Sequence, residues 1–306
     1  LSLGPKALPF FGDLVMDDLV AMHSTNPYRR QWGGFNDDTF MADPRIGVPV
    51  VWYWNGEGCY HHNSDNTFDL VDWATCLEKT GIILRYVASL AWLDPLSANR
   101  LVPRIVRDVN ANLDRMLKEL RQRAREHDRE SLTRNIRFLI DMAQGQLASL
   151  ATFGAKPTAL RHAREHVERH ARAQAALLAK VQVSPTFLDT VPGPEERRAR
   201  NRIPRRLTRG LPFDLAKIPF AERKRYAWDT ERFVAWMDGR RDLWEVIQCF
   251  AMDRGSPVLP DEVGRLIQYT QCLARYGYLK LIPKTTIGKE EIKRGLRTLG
   301  IRKGDR

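Results

Sequence analysis

The chain has 306 residues, of which 43% are hydrophobic and 28% charged, and its formal net charge is +12. This composition excludes a disordered chain, and no apolar run reaches the roughly 18 to 20 residues that a transmembrane helix needs. The four cysteines form no C-x-x-C pair, so we expect reduced thiols in a cytoplasmic protein and not a zinc ribbon or a disulfide framework.

The N-terminal third, residues 1–97, is predicted to be an α/β fragment: the end of a sheet with a packing helix. Its first residues carry neither an initiator Met nor a signal-peptide pattern, so we expect the C-terminal part of a longer protein. Residues 46–54 are β-branched and aromatic between turn residues, which predicts a buried strand. Helical spacing of apolar residues over 68–93 then predicts a long helix packed on the sheet, ended by Asp94-Pro95.

The middle of the chain is predicted to be helical and basic. Residues 98–182 are rich in Ala, Arg and Leu, which favours two or three antiparallel amphipathic helices. Between residues 101 and 210 there are 23 Lys and Arg against 12 Asp and Glu, so most of the net charge lies here. Residues 183–225 carry many prolines and an arginine run, which is typical of a linker or an extended arm.

The C-terminal region, residues 226–306, is predicted to be a winged helix-turn-helix domain. Short helices over 230–237, 243–252 and 261–275 would precede an apolar strand over 276–282. The third helix has few basic residues, whereas a helix that reads DNA normally presents several. We therefore favour a protein partner for this domain; nucleic acid is possible but not favoured.

A histidine turn follows the predicted strand. His61 and His62 precede a run of Asn, Ser, Asp and Thr, and an imidazole at a strand end with carboxylates and hydroxyls behind it is a common arrangement for a zinc ligand. A surface loop with turn hydrogen bonds would explain the same residues.

The surrounding segment, about residues 32–92, resembles the C-terminal part of two-zinc aminopeptidases of the bacterial leucyl aminopeptidase type, metallopeptidase family twenty-eight. In that family the last zinc ligand lies in a Tyr-His-Thr-Ser-x-Asp-Thr turn after the final strand. Alignment on the tail that begins at Thr67 places the ligand at His62, which we favour, and alignment on Tyr60 places it at His61. The resemblance gives supporting or capping roles to Asp65, Asn66 and Asp69.

The acidic loop upstream also resembles the family, whose Gly-Ser-Asp-His loop is followed by Asp-Pro and then Ile-Gly-Ile-Pro. Asn36, Asp37 and Asp38 stand for Ser-Asp-His, and residues 43–49 keep the family's spacing. The resemblance places these three side chains on the substrate side. Asp38 replaces a histidine, and a carboxylate cannot donate a hydrogen bond to a tetrahedral intermediate as an imidazolium could.

The resemblance implies zinc-dependent hydrolysis of peptide or aminoacyl-amide bonds, with two zinc ions and a glutamate as general base. The family's His-x-Asp element and Glu-Glu pair do not occur ahead of Asn36. Asp13, Asp17, Asp18 and His23 are interpreted as helix-capping and surface residues. We therefore expect one of about five zinc ligands and no catalytic residue in these 306 residues, so this chain alone would be incomplete and inactive.

Two further patterns favour simpler explanations. His162, His166 and His170 are spaced i, i+4, i+8, but neighbouring arginines repel a cation and favour a solvated helix face with ion pairs. A different class of function also fits the sequence: a non-catalytic interaction protein whose basic helices and winged helix bind an acidic protein or nucleic acid.

Overall fold

The computed structural model is mainly helical and divides into two compact units. It describes residues 2–3, 5–28, 31–32, 40–51, 71–122, 129–179, 193–208, 215–226, 230–254 and 260–284. Unit 1 comprises residues 1–33 and 48–188, and unit 2 comprises residues 34–47 and 189–306. The short segment 34–47 belongs to unit 2 and interrupts unit 1 in sequence, so each unit consists of two separate stretches of the chain.

Unit 1 begins with a parallel crossover. Strand β1 (Ser2–Leu3) pairs in parallel with β2 (Gln31–Trp32), and helix α1 (Gly12–His23) lies between them in sequence. A parallel pair requires such a crossover, usually through a helix. The strands are only two residues long, so helix packing must stabilise this part of the unit.

The long helix predicted from apolar spacing is present as α2 (Trp73–Ala91). Asp72 caps its N-terminus by accepting hydrogen bonds from the amides of Ala74 and Thr75. It ends before Asp94-Pro95, as the sequence predicts, and Asp94 then accepts from the amide of Ser97 at the start of the next helix.

Helices α3 (Pro95–Gln122), α4 (Arg129–Ala151) and α5 (Pro157–Ala179) pack against one another and confirm the predicted helical region. The amide of Lys156, next to α5, donates to the side chain of Asn99, and His170 of α5 lies 3.0 Å from the carboxylate of Asp114; these contacts show that α3 and α5 run in the same direction. The short connection between α4 and α5 makes α4 antiparallel to both. No helix in the described ranges is long and apolar enough to cross a membrane.

The core of unit 1 joins its N-terminal residues to the helical bundle. Phe10, Phe11 and Leu14 belong to the same buried cluster as Leu147 and Val167. The amide of Phe11 also donates to the hydroxyl of Ser149 at 3.1 Å. The predicted domain boundary at residues 97–98 therefore falls inside this unit.

Unit 2 surrounds a two-stranded antiparallel sheet. Its elements are α6 (Pro194–Arg200), β3 (Arg202–Arg206), α7 (Phe220–Arg223), α8 (Thr230–Ala235), α9 (Leu243–Arg254), α10 (Pro260–Arg275) and β4 (Leu279–Pro283). Strand β3 pairs with β4, with Ile203 opposite Ile282. Residues 193–208, predicted as part of a linker, therefore form a helix and a strand whose pairing closes the unit.

Helices α8, α9 and α10 lie close to the three helices predicted for residues 226–306. Helix α9 starts with a capping box, in which Asp242 accepts from the amide of Glu245 at 2.9 Å and Glu245 accepts from the amide of Asp242 at 3.0 Å. Helix α10 is followed by Gly277 at φ +77°, a conformation that favours glycine and turns the chain into β4. The unit is mainly helical, and its assignment as a winged helix stays a prediction.

The strand predicted at residues 46–54 is absent over its described part, residues 46–51. The amides of Ile46 and Gly47 donate to the carbonyl of Asp43 at 2.9 and 2.8 Å, which forms a turn, and residues 48–51 are irregular. Pro49 has no amide hydrogen to give to a neighbouring strand. Residues 52–54 lie outside the described part of the chain.

Gly154 provides a test of the α4–α5 turn. It has φ +80°, and a Cβ atom there would lie 2.9 Å from Cγ of Pro95. We expect Gly154→Ala to lower the free energy of unfolding by about 1–3 kcal/mol. In the control Gly81→Ala, within α2, the new methyl group meets only the mobile end of Arg85, and we expect no loss. Urea unfolding followed by circular dichroism measures the free energy of unfolding of both variants. Equal losses would contradict the close approach of Gly154 to Pro95.

Candidate functional site

The residues predicted to form the zinc site and the substrate side lie outside the described residues. Asn36, Asp37 and Asp38 fall in residues 33–39. The second group, which falls in residues 52–70, comprises His61, His62, Asp65, Asn66 and Asp69. The structure does describe the segments that border these two stretches, residues 40–51 and the start of α2.

Asp43, which follows the acidic loop, forms a fully buried ion pair with Arg206 at the end of β3. Both carboxylate oxygens accept from the guanidinium at 2.6 Å, and the side chains of Arg206 and Asp43 are 1% and 0% exposed. Nε of Arg206 is buried without a hydrogen-bond acceptor, so the buried charge of Arg206 is compensated mainly by Asp43. Removing one member of a buried pair costs about 3–5 kcal/mol, because the other charge is left unpaired.

Arg45 also attaches this segment to the end of β3. Its guanidinium donates to the carbonyl of Arg206 at 2.6 Å and to that of Thr208 at 2.7 Å, and its amide donates to Asp43 at 2.9 Å. Desolvation, followed by the charge of Arg206, lowers the pKa of Arg45. The side chains of Asp43 and Arg45 therefore attach the Asp-Pro-Arg segment to β3, a role that the resemblance did not predict.

Asp72, which ends the segment resembling the zinc turn, serves as a helix cap. Its second oxygen accepts from the hydroxyl of Thr75 at 2.7 Å, and this bond is the main reason that the pKa of Asp72 is lowered. Both carboxylates that border the predicted site, Asp43 and Asp72, are thus occupied by protein hydrogen bonds. Neither fits a zinc ligand.

Four residues near the N-terminus were interpreted as capping and surface residues, and the structure corrects this in part. Asp18 pairs with Arg104 of α3 at 2.7 Å, and His23 is exposed. Asp13 is 1% exposed in the first turn of α1, so it is not a surface residue. Burial and the nearby charge of Asp13 raise the pKa of Tyr86.

The three histidines of α5 lie on a solvated, hydrogen-bonded face, as the sequence favoured. His166 lies 3.3 Å from the amide nitrogen of Asn110, and His170 lies 3.0 Å from a carboxylate oxygen of Asp114. Arg172 pairs with Glu168 at i, i+4. Among the residues whose placement is described, no group of three or more His, Cys, Asp or Glu could hold a metal ion.

A cluster that the sequence did not reveal surrounds Glu222 of α7. Its carboxylate accepts from the hydroxyl of Tyr276 at 2.8 Å and lies 3.4 Å from the thiol of Cys272. The bond from Tyr276 lowers the pKa of Glu222, and burial raises the pKa of Cys272 to about 11. The thiol therefore remains protonated and is a poor nucleophile, so this cluster holds α7 against α10 and does not supply a catalytic cysteine.

The exposed side of the two-stranded sheet is basic. Arg205 of β3 lies directly opposite Lys280 of β4, and both side chains are exposed. Like charges that face each other across a strand pair are destabilising. The apolar residues of α10, Leu266, Ile267, Tyr269 and Leu273, are buried in the unit itself.

No protein-family model, curated protein or solved structure matches this chain.

The thiols give a direct test of these environments. Cys76 is exposed on α2, whereas Cys272 is buried with its pKa raised to about 11. We expect iodoacetamide to alkylate Cys76 at least about tenfold faster than Cys272 at neutral pH, as measured by peptide mass spectrometry. Equal rates in the folded protein would contradict the packing around Glu222.

Proposed function

We propose that this chain is the C-terminal portion of a zinc-dependent aminopeptidase-like hydrolase that cleaves peptide or aminoacyl-amide bonds. The proposal rests first on the order and spacing of motifs over residues 32–92. The observation that supports it is the parallel β1–α1–β2 crossover followed by α2, which is capped by the Asp that ends the zinc-turn segment. Parallel strands occur almost entirely in sheets that helices cover on both faces.

Under this proposal His62 holds one zinc ion, with His61 as the alternative. Asn36, Asp37 and Asp38 lie on the substrate side, and Asp65, Asn66 and Asp69 orient the ligand or cap the turn. The two zinc ions would polarise the scissile carbonyl and activate water. Their other ligands and the general base would come from polypeptide outside these 306 residues.

Metal analysis of the complete reading frame tests the proposal. We expect the purified protein to contain about two zinc ions and to hydrolyse aminoacyl amides. His62→Ala should lower kcat/KM by at least about a hundredfold, because a ligand is removed. His162→Ala, on the α5 face, is the matched control and should change neither zinc content nor rate. A protein without zinc, or one in which neither His62→Ala nor His61→Ala has an effect, would exclude the hydrolase.

A second candidate function is an interaction module in unit 2 that binds an acidic protein segment. The specific observation is the pair of exposed, facing cations Arg205 and Lys280, beside the exposed Arg202. Their mutual repulsion is relieved when an anionic partner binds between them. The winged-helix prediction for unit 2 agrees with a recognition role, and the burial of the apolar side of α10 leaves the basic strands as the contact surface.

Fluorescence anisotropy separates the possible partners of the basic strands. We expect a labelled poly-glutamate peptide to bind, with an affinity that falls steeply as salt rises. Binding should be lost in the double variant Arg205→Glu, Lys280→Glu and kept in the control Arg164→Glu on α5. Tighter, salt-dependent binding of single-stranded DNA that needs the same two residues would assign the surface to nucleic acid instead. No salt-dependent binding of either probe would remove this candidate.

A further inference from the structure

One face of α2 is uncharged, apolar except for one threonine, and exposed to solvent. The face has the spacing 4-3-4-3-4 and consists of Trp73, Leu77, Thr80, Leu84, Val87 and Ala91. All six residues are exposed; Leu77 is 71% exposed and Leu84 is 63% exposed. We call these six residues the α2 seam.

The charged residues of α2 lie off the seam. Glu78 bonds to Ser24 and to Thr25 at the end of α1, and Ile82, between the charged positions, is buried against α1. Arg85 donates to the carbonyl of Gly81 on its own helix. A surface helix normally presents a polar face to solvent, whereas α2 buries the apolar Ile82 on its inner side and also exposes an apolar face. Its outward face therefore has the composition of an interface.

The spacing of the seam indicates which kind of surface covers it. Apolar residues that alternate at intervals of four and three follow the 3.5-residue repeat of helices packed side by side in coiled coils. The seam spans 19 residues of α2, which is two and a half such repeats. The surface that fits it is a second helix.

We propose that this helix is α2 of a second copy of the chain, packed antiparallel to form a symmetric dimer. In an antiparallel pair centred near Ile82, Trp73 lies level with Ala91 of the other copy, and Thr80 lies level with Leu84. Leu77 lies level with Val87. Every layer then combines a larger with a smaller side chain, which fills the interface evenly, and the two helix dipoles are opposed. A parallel pair would stack Trp73 on Trp73 and leave Ala91 facing Ala91.

The exposed area is sufficient for a stable dimer. Besides the seam, Ile83, Trp92 and Leu96 are 40%, 82% and 61% exposed on or next to α2. Together these side chains offer on the order of 800 Å² per copy, which is close to what each partner buries in a stable interface. The inference does not rest on the proposed hydrolase activity, but further polypeptide packed on the α2 seam would exclude the dimer.

Sedimentation equilibrium of the 306-residue chain tests the dimer. We expect a mass of twice 35.3 kDa at micromolar concentrations. Leu84→Glu, at the centre of the seam, should raise the dimer dissociation constant by on the order of a hundredfold or more. Ser89→Glu, exposed on α2 but off the seam, is the matched control and should leave it unchanged. Because both sites are exposed, circular dichroism should show both variants folded.

Charge pairing tests the register. Thr80→Lys and Leu84→Glu should each weaken self-association, and mixing the two variants should restore heterodimers, because residue 80 of one copy lies level with residue 84 of the other. A parallel pair would not bring these positions together.

Three results would overturn the proposal. The first is a wild-type chain that stays monomeric at high micromolar concentration, which would leave the seam to further polypeptide or another protein. The second is a dimer that Leu84→Glu does not weaken. The third is open-ended aggregation, because a symmetric interface closes at two copies.

Discussion

The buried ion pair between Asp43 and Arg206 is the constraint on which the arrangement of unit 2 depends. It joins residues 163 positions apart in sequence, and Arg45 adds two bonds to the carbonyls at the end of β3. Two desolvated charges are tolerated only because the geometry is bidentate and both oxygens are used. The pair fixes residues 43–45 at the end of β3.

The helices could be predicted from sequence because each carries its own signal. Apolar spacing located α2 and the bundle, and the Asp242–Glu245 capping box marks the start of α9. Strands β1 and β2 could not be predicted, because two residues are too few to show an alternation of apolar and polar side chains. Residues 193–208 resemble a linker because of their prolines and arginines, yet β3 pairs with β4 and places Pro204 and Arg206 inside the unit, where Asp43 compensates the charge of Arg206.

The candidate site residues were predicted from resemblance and lie outside the described residues, whereas the contacts that border them could not be predicted. In the sequence Asp43 belongs to a motif spacer, and nothing local points to Arg206 as its partner. Glu222 likewise meets Cys272 and Tyr276 only through the fold. For α2 the helical period was predicted correctly, but the helix was assigned to packing on a sheet. Leu77 and Leu84 instead face solvent, and this outward face carries the proposed dimer.

A double-mutant cycle at residues 43 and 206 tests the central constraint most directly. We predict that Asp43→Ala and Arg206→Met each lower the free energy of unfolding of unit 2 by about 3–5 kcal/mol, because each leaves one buried charge unpaired. The double variant should lose clearly less than the sum, with a coupling of at least about 2 kcal/mol. Single variants that each lose under about 1 kcal/mol, or losses that simply add, would contradict the account.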